Sequence, residues 1–144
     1  MIKIICVGKI KEAFYRDAIF EYLKRLSKYH KVNIIEVMDS DMVHEKNLIL
    51  SKIDKKDYII TLEINGKEMN SLEFSKFLDN TFISNSNICF IIGGSNGLDE
   101  EVSKLANYKL SFSKMTFPHQ LFRVILLEQI YRAFKIINNE SYHK

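Results

Sequence analysis

Apolar runs alternate with segments of helical spacing along most of this chain. Met1–Val7 is an apolar run closed by Gly8, and Lys9–Lys28 then repeats apolar residues at helical spacing. The same alternation predicts strands at Val32–Met38, Tyr58–Ile64 and Ile88–Ile92, and helices at Glu45–Ile53 and Ser71–Ile83. Strands that are apolar throughout and separated by helices indicate a parallel sheet covered on both faces. The predicted fold is therefore α/β, with about five strands.

Local signals refine this pattern without dividing the chain. Asn65-Gly66 predicts a turn after the third strand, and Asn70 is expected to cap the helix that follows. The sequence contains no Pro/Gly/Ser linker, repeat or low-complexity segment. We therefore predict a single domain over residues 1–144.

The C-terminal helix carries apolar residues on nearly every side. A short strand is expected around Leu110–Phe112, and Pro118 fits the first turn of a helix that runs to about Asn138. A surface helix needs only one apolar stripe. We therefore predict a homodimer in which the same helix of a second copy covers part of it, with Leu127 and Ile130 as candidate contact positions.

Composition indicates the class of protein and the cellular compartment to expect. The chain is 47% hydrophobic over 144 residues, enough for one core, and no apolar run approaches the roughly 18 residues that cross a bilayer. The N-terminus lacks a signal-peptide cleavage site, so a cytoplasmic protein without a membrane partner is expected. Cys6 and Cys89 lie singly in apolar strands and are interpreted as reduced core residues, with no metal site.

Charge is distributed unevenly along the sequence. The net charge is only +3, but residues 1–31 hold eight Lys/Arg against three acids, and residues 109–144 hold six against two. If these two ends meet, they form a positive face suited to nucleic acid. The alternative is equally open: Lys24, Lys28 and Lys31 could simply solvate a helix and its exit.

Glycines cluster after the fourth strand, in the sequence IIGGSNGL. Gly93, Gly94 and Gly97 would let backbone approach a ligand beyond the carboxyl end of a strand. The motif lacks the G-x-G-x-x-G pattern of dinucleotide sites, and no Lys-Ser/Thr pair follows it as in a P-loop. A ligand pocket and a pair of plain turns both remain open interpretations.

Three blocks carry a resemblance to a known family: FIIGGSNGL, TFPHQLFRVILLEQIYRAFKI and the terminal SYHK. They closely resemble the ribosomal large-subunit pseudouridine N3-methyltransferases, of the SPOUT class. The resemblance covers nearly the whole chain and departs after Asp39, where members of the family have a longer acidic helical segment. It implies a SPOUT fold with a C-terminal trefoil knot. It also implies S-adenosylmethionine-dependent methylation of N3 of a pseudouridine in 23S rRNA, at the stem-loop facing the subunit interface of the assembled ribosome.

The resemblance also implies the site residues. S-adenosylmethionine would contact Leu62, Gly93 and a loop made of Phe112, Ser113, Lys114, Met115, Thr116 and Phe117. An apolar slot with backbone donors and acceptors suits adenine. Valine in place of Gly93 is expected to fill ligand space and leave the fold largely intact, unless Gly93 only serves a turn, in which case the change would lower stability by about 1 kcal/mol. The family's terminal Tyr-His pair is functionally important, so Tyr142 and His143 are candidate catalytic residues. The N3 proton calls for a base or a nearby cation, which adds Arg123 as a catalytic candidate, with Arg132 and Lys144 as alternatives.

The remaining titratable residues favour no other chemistry. No Ser-His-Asp or Cys-His set can be assembled, which argues against covalent catalysis. His30 and His44 are expected to be exposed, and His119 to face either the cofactor loop or the dimer. The tail after Asn138 has no aliphatic residue and would fray unless it has a function. The alternative to an enzyme is a non-enzymatic α/β dimer that binds ribosome or RNA, with GGSNG as plain turns.

Overall fold

Five parallel strands and five helices alternate along the chain. The computed structural model describes all 144 residues. The elements are β1 Ile2–Val7, α1 Ala13–Leu26, β2 Val32–Val37, α2 Met42–Ser51, β3 Asp57–Glu68, α3 Ser71–Ser84, β4 Asn87–Ile92, α4 Glu100–Lys104, β5 Tyr108–Ser111 and α5 His119–Ile137. The strands form one sheet in the order β2-β1-β4-β3-β5, and every neighbouring pair is parallel. The predicted α/β class is confirmed. The trefoil knot implied by the resemblance stays a prediction.

Each face of the sheet has its own hydrophobic core, because successive strand residues point to opposite faces. Ile4, Phe90 and Leu110 belong to the larger core, which also takes its side chains from α1, α3 and α5. Ile5 and Ile91 belong to the smaller core, which is completed by α2 and α4. Helices therefore cover both faces, as uniformly apolar parallel strands require.

The long helix α5 is covered mainly by its own subunit, since it packs against α1 and α3. Leu127 and Ile130 are fully buried in the larger core, so the expectation that they face a second copy is wrong. In the first two turns of α5, the apolar residues that belong to neither core are Leu121, Val124 and Ile125, which are half-buried. Neither α5 nor any other helix combines the length and apolarity that a membrane span needs.

The packing of α1 against α5 brings the two basic ends of the sequence together. Lys28, in the turn after α1, pairs with Glu140 beyond the end of α5 at 3.3 Å, and Lys135 reaches the same carboxylate at 3.2 Å. The Tyr29 hydroxyl also donates a hydrogen bond to Glu140. The two basic ends of the chain therefore lie next to each other, as a shared positive face would require.

Most predicted boundaries agree with the structure, and β3 is the main exception. Asn70 caps α3 as expected and forms a capping box with Glu73. The turn expected at Asn65-Gly66 is wrong, because β3 continues to Glu68 with a shift in its register against β5. A Cβ on Gly66 would lie 2.6 Å from the Lys109 carbonyl oxygen. This glycine therefore serves a close approach of two strands.

The helices α1 and α2 are offset from their predicted ranges. The helix α1 begins at Ala13 instead of Lys9, after Gly8 in a left-handed conformation with φ of +89°. The helix α2 begins three residues earlier than predicted because the Asp41 side chain accepts the His44 backbone N–H and caps it. Both cysteines are buried and unpaired, and burial raises the pKa of each thiol to about 12. This confirms that they are core residues.

Candidate active site

A cleft lies where the carboxyl ends of three neighbouring strands meet. The strands β4, β3 and β5 are adjacent in the sheet, so the segments that follow them are brought together. The cleft is mostly apolar, with a few hydroxyl and backbone groups. It is lined by Leu62, Glu63, Ile64, Ile92, Gly93, Gly97, Leu110, Ser111, Phe112, Ser113, Met115, Thr116, Phe117, His119 and Phe122. Such an edge is the usual ligand position in an open α/β sheet.

All but one of the sequence-predicted cofactor residues line this cleft, although they come from three separate parts of the chain. Leu62, Gly93 and the loop after β5 meet there, but Lys114 is exposed and lies outside the lining. Hydroxyl groups shape the loop: the Ser113 hydroxyl accepts the Met115 backbone N–H at 2.9 Å, and the Ser111 hydroxyl donates to the Ser113 carbonyl at 3.1 Å. The loop thus presents a folded backbone to the cleft.

Gly93 is required by the protein's own backbone. A Cβ at this position would lie 2.6 Å from the carbonyl oxygen of Gly97. Gly97 closes a tight turn, with φ of +76° and its N–H donated to the Gly94 carbonyl. Against the expectation of a largely unaffected fold, a side chain at Gly93 would therefore displace this turn and lower stability.

Sequence reasoning missed Glu63 and left His119 undecided. Glu63 is the only formally charged residue in the lining, and its carboxylate accepts hydrogen bonds from the hydroxyls of Thr61 and Ser103. His119 is the first residue of α5 and lines the cleft together with residues of the cofactor loop. The signal for Glu63 was available: its carboxylate comes just after the buried positions Ile59–Thr61 of β3, near the edge where open parallel sheets bind ligands.

Arg123 is part of the protein core and is not placed at the cleft. Its side chain is 2% exposed, and one guanidinium nitrogen lies 2.6 Å from Glu36. A second nitrogen donates to the Gly8 carbonyl, and the Nε has no partner. A buried arginine fixed by a carboxylate and a carbonyl links α5 to β1 and β2, so the expected catalytic role of Arg123 does not fit its position within the subunit.

The C-terminal tail folds back onto α5 and does not fray. The Tyr142 hydroxyl donates to Glu128 at 3.0 Å, and its ring packs edge-on against Tyr131 with centroids 5.0 Å apart. Arg132 stacks over the Tyr142 ring at 4.7 Å and lies 3.2 Å from His143 Nδ1. Burial raises the pKa of Tyr142 to about 12, so its phenol is a neutral hydrogen-bond donor at pH 7.

The docked tail is separated from the cleft of its own subunit. Glu128 is nine residues along α5 from His119, which corresponds to about 13 Å of helix. Neither Tyr142 nor His143 lines the cleft. The structure therefore brings together the predicted cofactor residues other than Lys114, but does not bring the predicted catalytic residues to them.

The two N-terminal histidines occupy different surroundings. His30 is half-buried and stacks on Phe82 and Phe134, and burial lowers its pKa, so the expectation that it is exposed is wrong. His44 is exposed, as expected, and its Nδ1 lies 2.6 Å from the Asp41 carboxylate. No group of three or more His, Cys, Asp or Glu side chains is arranged to hold a metal ion.

The chain is similar to named proteins over nearly its whole length. The family model described as "Predicted SPOUT methyltransferase" matches residues 1–143. Two curated relatives named "Ribosomal RNA large subunit methyltransferase H" come from Clostridium botulinum, strains Alaska E43 and Eklund 17B. They are 56% and 55% identical to this chain, with 99% of each chain covered. Both alignments extend over 157 positions, so this chain lacks residues that the relatives have.

Solved structures share the fold at low sequence identity. A probable methylase family protein from Haemophilus influenzae has a TM-score of 0.59 at 14% identity, covering 99% of this chain and 70% of that one. The tRNA (m1G37) methyltransferase from Aquifex aeolicus has a TM-score of 0.55 at 13% identity, covering 91% and 69%. The parallel sheet and the three-loop cleft are consistent with the family that the sequence matches indicate over nearly the whole chain. The chain therefore belongs to the SPOUT methyltransferases, in the family of the ribosomal RNA large subunit methyltransferases H.

Proposed function

We propose that this protein transfers a methyl group from S-adenosylmethionine to N3 of a pseudouridine in 23S rRNA, acting on the assembled ribosome in the cytoplasm. The observation that carries the proposal is the meeting of Leu62, Gly93 and the 112–117 loop in one cleft. The names of the curated relatives support a ribosomal RNA substrate. The pseudouridine, its N3 position and the ribosome as substrate rest on the resemblance of the terminal blocks.

The residues of the cleft fit S-adenosylmethionine. Leu62, Phe112 and Phe117 supply apolar surface for an adenine ring, while the loop backbone supplies donors and acceptors for its edge. Gly93 and Gly97 have no side chains, so a ligand in the cleft can approach the backbone of both residues closely. The absence of lysine and arginine from the lining suits a ligand with a positively charged sulfonium.

The chemistry asks little of the protein beyond positioning. The bound cofactor supplies a methyl group on a sulfonium, which is a good leaving group. Holding the acceptor nitrogen in line with that methyl group can contribute about 7 to 11 kcal/mol. The N3 of pseudouridine carries a proton, so a nearby group must accept or polarise it. His119 lines the cleft and is the candidate within the subunit, and His143 is the candidate from the tail.

We further propose a homodimer in which each tail serves the partner's cleft. The outward stripe of α5 is apolar at Leu121, Val124 and Ile125, and becomes polar toward the docked tail. If two copies of this stripe pack antiparallel across a two-fold axis, the end of one α5 lies beside the start of the other. The start of α5 borders the cleft, so the tail's Tyr142 and His143 would come close to the partner's cofactor loop.

Calorimetry with S-adenosylmethionine tests the cofactor assignment. The intact protein is expected to bind the cofactor with one site per subunit and a Kd below about 1 mM. Thr116→Ala is a conservative change in the lining loop, and the matched change Thr81→Ala lies in α3 away from the cleft. The first should weaken binding more than the second. No heat of binding at millimolar cofactor would contradict the proposal and favour a non-enzymatic RNA-binding dimer.

A further inference from the structure

The charge of the cleft is set by a single residue. Glu63 is the only lining residue with a formal charge, and no lysine or arginine lines the cleft. Lys114 belongs to the adjoining loop but is exposed and outside the lining. The nearest buried cation on α5, Arg123, is paired with Glu36. The one acidic residue of the lining is therefore not accompanied by any basic residue of the lining.

The Glu63 carboxylate is fixed in place but not neutralised. The Thr61 hydroxyl donates to one carboxylate oxygen at 2.6 Å, and the Ser103 hydroxyl reaches both oxygens at 2.9 and 3.0 Å. Thr61 is completely buried on β3, and Ser103 lies on α4, so two elements hold the group. No ion pair forms with Glu63, and its oxygens retain free lone pairs. A fixed, unpaired carboxylate at the wall of a cleft produces a lasting negative potential inside it.

We propose that Glu63 makes this cleft selective for positively charged ligands and thereby favours S-adenosylmethionine over S-adenosylhomocysteine. The inference rests on the proposed function, because it takes the cleft to be the cofactor site. The two compounds share the adenosine and amino-acid groups and differ in the methyl group and the positive charge on sulfur. A carboxylate that senses this charge holds the methyl donor more tightly than its demethylated form, which helps the site to clear after each reaction.

Binding measurements on Glu63→Gln separate the charge from the shape of the residue. The amide keeps the size of the side chain and removes its charge. We expect the affinity for S-adenosylmethionine to fall about tenfold and the affinity for S-adenosylhomocysteine to change less than about twofold. Sinefungin, which carries an ammonium in place of the sulfonium, should lose affinity in parallel with S-adenosylmethionine. Each Kd is measured by calorimetry on the intact protein at one ionic strength.

Two control variants exclude indirect effects. Glu68→Gln removes an exposed carboxylate from the end of the same strand, and should leave all three affinities unchanged. Ser103→Ala removes one of the hydrogen bonds to Glu63 but keeps its charge, so it should preserve the preference for the charged ligands. A structural role of Glu63 would instead make Ser103→Ala and Glu63→Gln behave alike.

The outcomes distinguish this inference from the function on which it rests. An equal loss for all three compounds in Glu63→Gln would place the carboxylate at a group they share and would overturn the charge selectivity alone. Unchanged affinities in Glu63→Gln would overturn it as well. Failure of the unmodified protein to bind any of the three compounds would overturn the proposed function and this inference with it.

Discussion

Gly93 is the residue at which packing and proposed function are hardest to separate. Gly93→Ala would place a Cβ 2.6 Å from the Gly97 carbonyl oxygen, so the turn must shift. We expect a loss of about 1 to 3 kcal/mol in the free energy of unfolding, together with weaker cofactor binding. Urea denaturation measures the first effect and calorimetry the second.

Gly97→Ala provides the matched comparison at the same turn. A Cβ there meets nothing within 4 Å, but φ is +76°, which alanine rarely adopts. We therefore expect the free energy of unfolding to fall by about 1 kcal/mol because of backbone strain alone. A Gly93→Ala protein as stable as its parent would show that the backbone contact is easily relaxed. The effect of a side chain at Gly93 would then belong to the ligand alone.

Docking of the C-terminal tail onto α5 is expected to weaken at high pH because of Tyr142. Burial, followed by its hydrogen bond to Glu128, raises the pKa of this phenol to about 12. Because the neutral phenol is favoured when the tail is docked, docking is fully stabilised below the free tyrosine pKa of about 10. It weakens as the pH rises from about 10 through 12. Titration of a 13Cζ-tyrosine label, assigned by comparison with Tyr142→Phe, measures this pKa. Titration near pH 10 would mean that the tail is undocked in solution.

At the scale of single elements, α5 separates the core from the proposed interface. Leu127 lies fully in the core, so Leu127→Ala should lower the free energy of unfolding by about 2 to 5 kcal/mol. Val124 lies on the outward stripe, so Val124→Glu should keep the fold and yield monomers. A dimer interface of ordinary size, about 1,600 Å² in total, would not tolerate a central charge.

Light scattering combined with denaturation distinguishes the two α5 variants. Val124→Glu is expected to elute as a folded monomer. Methyl transfer should fall, because in a monomer the tail cannot reach the cleft of a second subunit. An unmodified protein that is monomeric and fully active would contradict the dimer. A Val124→Glu protein that remains dimeric would move the interface to another surface.

The tail is the second element whose role can be measured. Deleting residues 141–144 removes the contacts of Tyr142 with Tyr131 and Glu128, so the subunit should lose about 1 kcal/mol of stability. Cofactor affinity should remain nearly unchanged, because no tail residue lines the cleft of its own subunit. Methyl transfer should fall about a hundredfold, as expected on loss of a positioned proton-transfer group.

The substitution His143→Ala is the finer version of this deletion. It should reproduce much of the loss in methyl transfer while keeping the Tyr142 contacts. A raised pH should partly restore the rate if the histidine accepts the N3 proton. A truncated protein that methylates at the parental rate would move the proton-accepting role to His119.

At the scale of the whole molecule, periodicity was sufficient to predict the architecture. Uniformly apolar strands separated by helices require a covered parallel sheet, so the class and the five strands follow from pattern alone. Turn residues were less informative, because Asn65-Gly66 resembles a turn yet lies within β3. Only the approach of Lys109 explains that glycine, and such long-range contacts leave no local signal.

Some residues of the candidate site could be predicted from local sequence, and others depend on contacts between distant parts of the chain. The meeting of Leu62, Gly93 and the 112–117 loop could be expected because these segments lie at or near the carboxyl ends of strands, and their choice as a set came from the family resemblance. Burial of Arg123 depends on Glu36, which is 87 residues away, and sequence reasoning could not place the two together. The docking of Tyr142 onto Glu128 likewise depends on a helix whose outward stripe is known only after folding.

Methyl transfer itself tests the proposed function most directly. The protein is incubated with labelled S-adenosylmethionine and free rRNA, separated large subunits or whole ribosomes, and the rRNA nucleosides are then identified by mass spectrometry. We expect N3-methylpseudouridine in 23S rRNA, with whole ribosomes as the preferred substrate. Absence of label from all three substrates, or label on a different nucleoside, would contradict the proposed function.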